Sequence, residues 1–207
     1  MTKNIFIIRH GQTEFNRLGI VQGSGIDSDL NEVGQAQAAS FYNKYKDVKF
    51  DKIYVSALKR THQSVQSFID KGIPFEIQAG LNEISWGDKE GKVPNYQDDS
   101  YYKELIMGWQ NGQNDLEASG GGESPQQVRN RQQTVLDIIL SQNQEQTVLV
   151  AMHGRALRII LTTIFGQNLA EMDTWEHSNL CVYHLLYDYE TDSYELILEN
   201  DTTHLID

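Results

Sequence analysis

The feature that most constrains the fold is a near-continuous apolar run, Thr147–Met152, which is followed by a helical pattern. Such runs are typical of central parallel strands that are buried on both faces of a sheet. A second apolar run, Lys3–Ile8, lies near the start of the chain and predicts another buried strand. A His-Gly pair follows closely after each run, at His10-Gly11 and at His153-Gly154. The two strands therefore predict similar chemistry at their carboxyl ends.

Strand-like and helical patterns alternate along the chain, which predicts an α/β fold. Asn31 and Ser56 are expected to cap helices, and Ser124 with Gln127 forms a capping box. We predict a three-layer sandwich with a mostly parallel central sheet, helices on both faces and a terminal hairpin. The expected helices are Glu32–Tyr45, Leu58–Ile69, Pro125–Ile139 and Ala156–Phe165, and the further strands are Lys52–Val55, Phe75–Gln78, Leu180–Tyr187 and Tyr194–Leu198.

The segment 89–122 interrupts this alternation. It is irregular, it contains several aromatic residues, and it ends in Gly120–Gly122. We predict that residues 1–207 form a single domain in which about 89–122 is a cap-like insertion over the sheet edge. The three glycines are interpreted as a hinge, since no Lys-Ser or Lys-Thr pair follows to make a phosphate loop.

Charge and cysteine content narrow the classes of function. The chain has 17 Lys and Arg against 29 Asp and Glu, a formal net charge of −12. Nucleic acids and anionic membranes bind basic surfaces, so neither is expected as a partner. Cys181 is the single cysteine, and the sequence has neither a secretory signal pattern nor an apolar run of membrane-spanning length. We expect a soluble, cytoplasmic protein in which any phosphate site is locally basic.

Two strand ends carry the strongest candidate residues. Arg9 and His10 come directly after the first strand, where open α/β sheets place their ligand sites. Arg9 is a permanent cation suited to phosphate, and Gly11 allows a close backbone approach. His153-Gly154 repeats this arrangement after the central strand. One such histidine is explained by core packing, whereas two at equivalent strand ends favour a shared active site.

Two further segments are weak in isolation. Ser56–Thr61 lies at a strand-to-helix junction, where free backbone N–H groups favour an anion, and it contains Arg60. Glu83 follows the third predicted strand and offers a carboxyl group for acid–base chemistry. Alone, Arg60 would be interpreted as a solvated surface residue. Both segments gain weight only in combination with the two histidines.

Together the four segments resemble the histidine phosphatase superfamily, in the branch of the cofactor-dependent phosphoglycerate mutases and their phosphatase relatives. The signature R-H-G-x-T stands at 9–13, S-x-x-x-R-T at 56–61 and H-G at 153–154. An acidic residue before a tryptophan and two glycines stands at Glu83, Trp86, Gly87 and Gly91. The family's early D-S-P-L-T is D-S-D-L-N here, at 27–31, a change that affects loop rigidity more than chemistry.

The resemblance implies a mechanism without metal or cofactor. His10 would be the nucleophile that accepts the phosphoryl group, and Glu83 would protonate the leaving oxygen and later activate water. Arg9, Arg60 and His153 would hold the phosphoryl oxygens. Positioning and charge stabilisation supply most of the catalysis in phosphoryl transfer, which explains why no metal is needed. The expected substrate-binding residues are Asn16, Gln22, Gly23 and Gly154.

We interpret the chain as a metal-independent phosphomonoesterase of the histidine acid phosphatase type. It would act through a phosphohistidine on a small, singly phosphorylated metabolite, and a homodimer is a possible assembly. Mutases of this family place paired arginines after the catalytic acid, whereas 87–128 has only Lys89, Lys92 and Lys103 as cations against eight acidic residues. Those acidic residues would suit a substrate with an amine. A phosphoglycerate mutase and a non-catalytic binding module of the same fold stay open as alternatives.

The histidines also bear on metal binding. A zinc hydrolase built from His10, His153 and a carboxylate is a further possibility, but the sequence has no H-E-x-x-H pattern and no cluster of Asp and His. His177 precedes a predicted strand and could border the site. Surface or packing positions are expected for the histidines outside the motifs: His62, His177, His184 and His204.

Overall fold

The computed structural model describes residues 1–93 and 100–205 and contains a six-stranded sheet. The strands lie in the order β3-β2-β4-β1-β5-β6. The pairs β3-β2, β2-β4 and β4-β1 are parallel, whereas β5 and β6 join as antiparallel strands. The strands are β1 (Thr2–Arg9), β2 (Lys52–Val55), β3 (Phe75–Ile77), β4 (Thr147–Met152), β5 (Val182–Asp188) and β6 (Ser193–Asp201).

Helices cover both faces of this sheet. They are α1 (Glu14–Leu18), α2 (Glu32–Tyr45), α3 (Lys59–Asp70), α4 (Ser100–Gln110), α5 (Pro125–Ser141) and α6 (Gly154–Ile164). On one face, α2 and α3 pack Phe41 and Phe68 against the strands. On the other, α5 and α6 pack Ile139 and Leu157 in a separate core. The predicted three-layer α/β sandwich with a mostly parallel sheet is therefore confirmed. None of the described helices is both long and apolar enough to cross a membrane.

The predicted helix caps are right in two cases and wrong in one. Asn31 accepts a hydrogen bond from the Gly34 N–H, and Ser124 and Gln127 form the expected capping box. Ser56 does not cap α3, which begins at Lys59 with Leu58 at the N-cap position and no side-chain cap. The reason is that the Ser56 hydroxyl takes part in a buried hydrogen-bond network at the site described below.

The described part of the segment 89–122, residues 89–93 and 100–122, is more regular than its sequence indicates. Its helix α4 buries Leu105 and Trp109 against Ile159 of α6 and against the 3₁₀ helix Leu169–Thr174. Pro94 and Tyr96 of this segment lie outside the described residues. The division of the chain into one domain with a cap-like insertion stays a prediction.

Two glycines bring the loop after β1 against α2. A Cβ atom on Gly34 would lie 2.1 Å from the Gln12 carbonyl oxygen, and one on Gly11 would lie 2.7 Å from the Gly34 carbonyl oxygen. Real Cβ atoms do not approach backbone atoms so closely, because packed interiors leave no space for the overlap. The backbone that carries His10 therefore rests directly on the first turn of α2.

Candidate active site

The pairing of β1 with β4 brings the two predicted histidines together. Arg9 is in register with Met152, and the His10 N–H donates to the Met152 carbonyl at 3.0 Å. The two imidazole rings, of His10 and His153, have centroids 5.2 Å apart. His10 is 3% exposed and His153 is fully buried. The two His-Gly pairs thus lie side by side at the carboxyl ends of adjacent parallel strands.

The His10 ring has a defined proton position. Its Nδ1 lies 2.7 Å from the carbonyl oxygen of Gly11. A carbonyl oxygen only accepts hydrogen bonds, so Nδ1 must carry the proton and donate it. In the neutral ring Nε2 then keeps a free lone pair. This is the tautomer that nucleophilic attack through Nε2 requires.

His153 is fixed by Arg60 and Ser56. The Arg60 Nε–H donates to His153 Nδ1 at 3.2 Å, and because a guanidinium only donates, Nδ1 is the acceptor and Nε2 carries the proton. His153 Nε2 then donates to the Ser56 hydroxyl, 2.7 Å away. Ser56 also accepts from the Leu58 N–H at 3.1 Å and lies 3.0 Å from the Thr61 hydroxyl. This network explains why Ser56 is not a helix cap.

The two predicted arginines occupy different positions. Arg60 is fully buried, and its guanidinium also donates to the carbonyl oxygens of Ile26 at 2.6 Å and Gly23 at 3.3 Å. Arg9 donates through Nη1 to the His177 carbonyl at 2.6 Å. Its Nε is buried and has no hydrogen-bond partner among the described residues. An unpartnered guanidinium N–H at this position is suited to an oxygen atom of a bound anion.

Glu83 lies at the amino end of α6. Its Oε1 accepts from the Ile84 and Ala156 N–H groups, each at 2.9 Å, and its Oε2 accepts from the Arg155 N–H at 3.1 Å. The side chain is largely buried, with 7% exposed. Free N–H groups at a helix start are natural partners of a carboxylate, so they fix its orientation.

Arg131 of α5 holds the loop that carries Glu83. Its guanidinium donates to the carbonyl oxygens of Gly80, Asn82 and Glu83 at 2.7, 2.8 and 3.1 Å. It also makes two hydrogen bonds to the Glu123 carboxylate, at 2.8 and 3.0 Å. Hydrogen bonds therefore hold both the carboxylate of Glu83 and the backbone of its loop in place.

These groups surround a cavity of about 230 Å³. Arg9, His10, Glu83 and Gly154 lie on its wall, whereas Arg60 and His153 are fully buried and are not among the lining residues. The lining residues are Arg9, His10, Asn16, Gly19, Ile20, Val21, Gln22, Glu83, Trp86, Tyr102, Gly154, Arg155 and His177. None of the acidic residues in the described part of 87–128 is among them, so they do not form a wall for a substrate amine.

Of the four predicted binding residues, Asn16, Gln22 and Gly154 line the cavity, whereas Gly23 does not. Asn16 uses Oδ1 to accept from Thr13 at 3.1 Å and from Asn179 at 3.3 Å, which leaves its Nδ2 as the donor toward the cavity. Gln22 lines the cavity, but its amide already bonds to Thr13 and Ser28. Gly23 lies outside the lining and acts on the site through its carbonyl bond to Arg60.

Among the lining residues that were not predicted as site residues are Arg155 and His177. Arg155 follows the His153-Gly154 motif and belongs to α6, outside the segment 87–128 whose cations bear on the choice between phosphatase and mutase. His177 was noted as a possible border residue and was expected to pack or lie at the surface. The Nδ1 atom of His177 lies 3.1 Å from Nη1 of Arg9. Arg155 could have been identified from the sequence because it comes directly after the His153-Gly154 motif.

The donor set of a metal site is not assembled in the described ranges. No group of three or more His, Cys, Asp and Glu side chains there is arranged to hold a metal ion. Three of the four ring nitrogens of His10 and His153 already bond to Gly11, Arg60 and Ser56.

Burial and neighbouring cations keep the site histidines neutral. Burial lowers the pKa of His10 well below its ordinary value, and the Arg60 and Arg9 guanidiniums lower it further. The same causes, burial first and Arg60 second, lower the pKa of His153. Burial and then Arg9 lower the pKa of His177 to about 3. Burial lowers the pKa of Arg60 to about 10, so its guanidinium is still charged at neutral pH.

These shifts predict a loss of stability in mild acid. Below about pH 6.5 the unfolded chain protonates its histidines, whereas the folded state keeps His10 and His153 neutral. The unfolded state then binds more protons than the folded state. The free energy of unfolding therefore decreases as the pH is lowered. Two such histidines should lower it by about 4 kcal/mol between about pH 7.5 and pH 5. Urea unfolding curves across that range measure the effect.

The matched variants for this experiment are His10→Asn and Phe41→Leu. His10→Asn should lose the contribution of one histidine, about 2 kcal/mol over this pH range. Phe41→Leu removes core packing but no titrating group, so it should lower the free energy of unfolding equally across the range. An unchanged slope in His10→Asn would contradict the assignment.

The fold and the site define an α/β protein of three layers with buried histidines and arginines at the carboxyl ends of parallel strands. The chain belongs to the histidine phosphatase superfamily (branch 1), whose model matches residues 5–202. The resemblance seen in the sequence is thereby confirmed.

Named relatives include both phosphatases and mutases. The chain is 33% identical over 171 residues to a metal-independent phosphoserine phosphatase from Arabidopsis thaliana, covering 77% of this chain and 68% of that protein. It is 30% identical over 190 residues to a 2,3-bisphosphoglycerate-dependent phosphoglycerate mutase from Bartonella tribocorum, covering 85% of this chain and 88% of that protein. The structure of a mutant phosphoserine phosphatase from Entamoeba histolytica in complex with phosphoserine has a TM-score of 0.85 at 24% identity, covering 99% of this chain and 100% of that one. At this identity the likeness shows the fold.

Proposed function

We propose that the protein is a phosphomonoesterase of the histidine acid phosphatase type that needs no metal or cofactor. It would transfer the phosphoryl group of a small, singly phosphorylated metabolite first to His10 and then to water. The observation that carries this proposal is the His10 tautomer, since the bond from Nδ1 to Gly11 leaves the Nε2 lone pair free. Membership of a superfamily that includes phosphatases supports it.

In the first step Nε2 of His10 attacks phosphorus. The new P–N bond forms as the P–O bond to the leaving group breaks, and a proton on Glu83 moves to the leaving oxygen. Glu83 lines the same cavity as His10, and its Oε2 has one N–H partner, Arg155. The alcohol departs, and the charge that remains on the phosphoryl oxygens is stabilised by Arg9 through its unpartnered Nε.

Arg60 and His153 support the phosphoryl group from beneath. The positive charge of Arg60 and its hydrogen bond to His153 lie against His10 in a buried environment, where electrostatic stabilisation is strong. Both ring nitrogens of His153 already have protein partners, so we propose that it acts chiefly by orienting Arg60.

In the second step water replaces the leaving group. Glu83, now a carboxylate, takes a proton from water as the oxygen attacks phosphorus. The P–N bond breaks, neutral His10 is restored, and inorganic phosphate leaves. Asn16 and Gly154 would hold the phosphoryl group during both steps, because both line the cavity that contains His10 and Arg9.

The proposal is tested by hydrolysis of p-nitrophenyl phosphate with and without EDTA, combined with intact-mass analysis of enzyme quenched in alkali, which preserves phosphohistidine. Chelator-resistant turnover and an enzyme species one phosphoryl group heavier are expected. Loss of turnover with EDTA that is restored by added metal ion would overturn the metal-independent route. Absence of turnover on this and on alkyl phosphates would favour a binding module.

A phosphoglycerate mutase is the second candidate, because the Bartonella mutase matches 85% of the chain. Phosphorus NMR of the protein with 3-phosphoglycerate and a trace of 2,3-bisphosphoglycerate separates the two activities. A phosphatase releases inorganic phosphate, whereas a mutase produces 2-phosphoglycerate. A cytoplasmic location and a homodimer belong to the same proposal and are open to cell fractionation and light scattering.

A further inference from the structure

Arg155 is the cation of the cavity that the phosphoryl chemistry does not use. Its N–H donates to Glu83 Oε2 at 3.1 Å, so the residue lies on the side of the candidate acid and of the leaving group. Its side chain lines the cavity and is 11% exposed. The guanidinium lies 5.8 Å from the ring centroids of both Trp86 and Trp109, close enough for cation–π contacts that restrict its position.

The charge around Arg155 is not balanced. Arg155 and Arg158 both donate to a single oxygen, Oδ1 of Asp173. One carboxylate therefore faces two guanidiniums, and one positive charge is in excess. Arg158 also donates to the Trp175 carbonyl at 2.8 Å and is not among the lining residues. Apart from its bond to Asp173, the Arg155 side chain makes no hydrogen bond within the described residues, so the excess charge faces the cavity.

We propose that Arg155 forms a second anion subsite that binds a carboxylate on the leaving group. The preferred substrates would then be small phosphate esters that carry a carboxylate a few bonds from the ester oxygen. This inference rests on the proposed function and adds a substrate class to it. A carboxylate matches the single excess charge, whereas a second phosphate would bring more negative charge than the subsite balances. A guanidinium with free N–H groups is suited to a carboxylate.

The first arm of the test compares phosphate esters that differ in the carboxylate. Phosphoserine and phosphoethanolamine share the phosphate and the amine, and only phosphoserine has the carboxylate. For the wild type, kcat/KM should be about tenfold to a hundredfold higher on phosphoserine, as expected for a charge-assisted hydrogen bond. The pair 3-phosphoglycerate and glycerol 3-phosphate repeats the comparison without the amine.

The second arm changes the subsite. Arg155→Gln should lose at least about ten times more kcat/KM on phosphoserine than on phosphoethanolamine, mainly through KM, and Arg155→Lys should recover part of the difference. Arg158→Lys is the matched control, because it keeps the second positive charge beside Asp173 and does not change the cavity wall. It should affect both esters by a similar factor.

Several results would overturn the inference. Equal rates of the wild type on both members of each pair would remove the carboxylate preference while leaving the phosphatase proposal intact. Equal losses on both esters in Arg155→Gln would assign the residue a structural role. If no ester is hydrolysed, the proposed function fails and the carboxylate subsite is tested by binding alone. Calorimetry on the wild type should then still find tighter binding of phosphoserine than of phosphoethanolamine. Equal binding of the two esters would refute the subsite. If Arg155→Gln does not fold, Arg155→Lys decides in its place.

Discussion

His10→Ala is expected to lower kcat for p-nitrophenyl phosphate by at least about ten-thousandfold, in line with the loss of other enzymatic nucleophiles. The substitution removes the only atom assigned to form a covalent bond to phosphorus. Arg9 and Arg60 would remain, so the site should still bind phosphate, and the loss should appear in kcat rather than in affinity. Steady-state kinetics and calorimetry with inorganic phosphate separate the two effects.

The matched control for this substitution is His184→Ala. His184 lies on β5, stacks on Phe6 at a centroid distance of 4.0 Å and lies 2.9 Å from the Asn4 amide oxygen, away from the cavity. It should keep turnover within a few-fold of the wild type. Similar turnover in His10→Ala and the wild type would end the case for a phosphohistidine.

Glu83→Gln is expected to lower turnover of alkyl phosphates by roughly a hundredfold to ten-thousandfold, the usual contribution of a general acid. An alkoxide is a poor leaving group without a proton, whereas p-nitrophenolate leaves readily without one. Phosphorylation of His10 by p-nitrophenyl phosphate should therefore be much less affected. Because Glu83 is also the proposed base of the second step, the variant should release a rapid burst of nitrophenolate and then slow down.

Glu90→Gln tests whether this effect is specific to Glu83. The Glu90 carboxylate also accepts from a backbone N–H, that of Trp86 at 3.0 Å, but it is not among the cavity-lining residues. It should affect alkyl and aryl esters alike and only slightly. If Glu83→Gln slows both ester types by the same factor with no burst, Glu83 is not the acid.

Much of the fold could be predicted because its signals are local. The buried strands β1 and β4 appear as apolar runs, and α2 and α5 begin at the capping residues expected of them. The candidate site was predictable because its parts lie at strand ends, where pairing of β1 with β4 aligns them. Arg60 and Glu83 could be included only through the family resemblance, since neither segment is informative alone.

The failures come from contacts between residues that are distant in the chain. Ser56 has the sequence of a helix cap, yet its hydroxyl bonds to His153, 97 residues further along the chain. Arg155 of α6 lies outside the segment 87–128, but the folded chain brings side chains of several elements to one cavity. Arg131 holds the Glu83 loop from 48 residues away. Such partners depend on the folded geometry, which the periodicity of a single sequence does not encode.

The contact between Gly11 and Gly34 has a consequence for how this site can change during evolution. Two backbones meet there with no side chain between them, since a Cβ on Gly34 would lie 2.1 Å from the Gln12 carbonyl oxygen. No other amino acid fits at position 34 without moving the nucleophile. Ile20 and Val21, by contrast, line the cavity and are only half-buried. Selection can therefore alter which ester enters the cavity while the attacking atom keeps its place, and new substrate preferences can arise without loss of the underlying reaction.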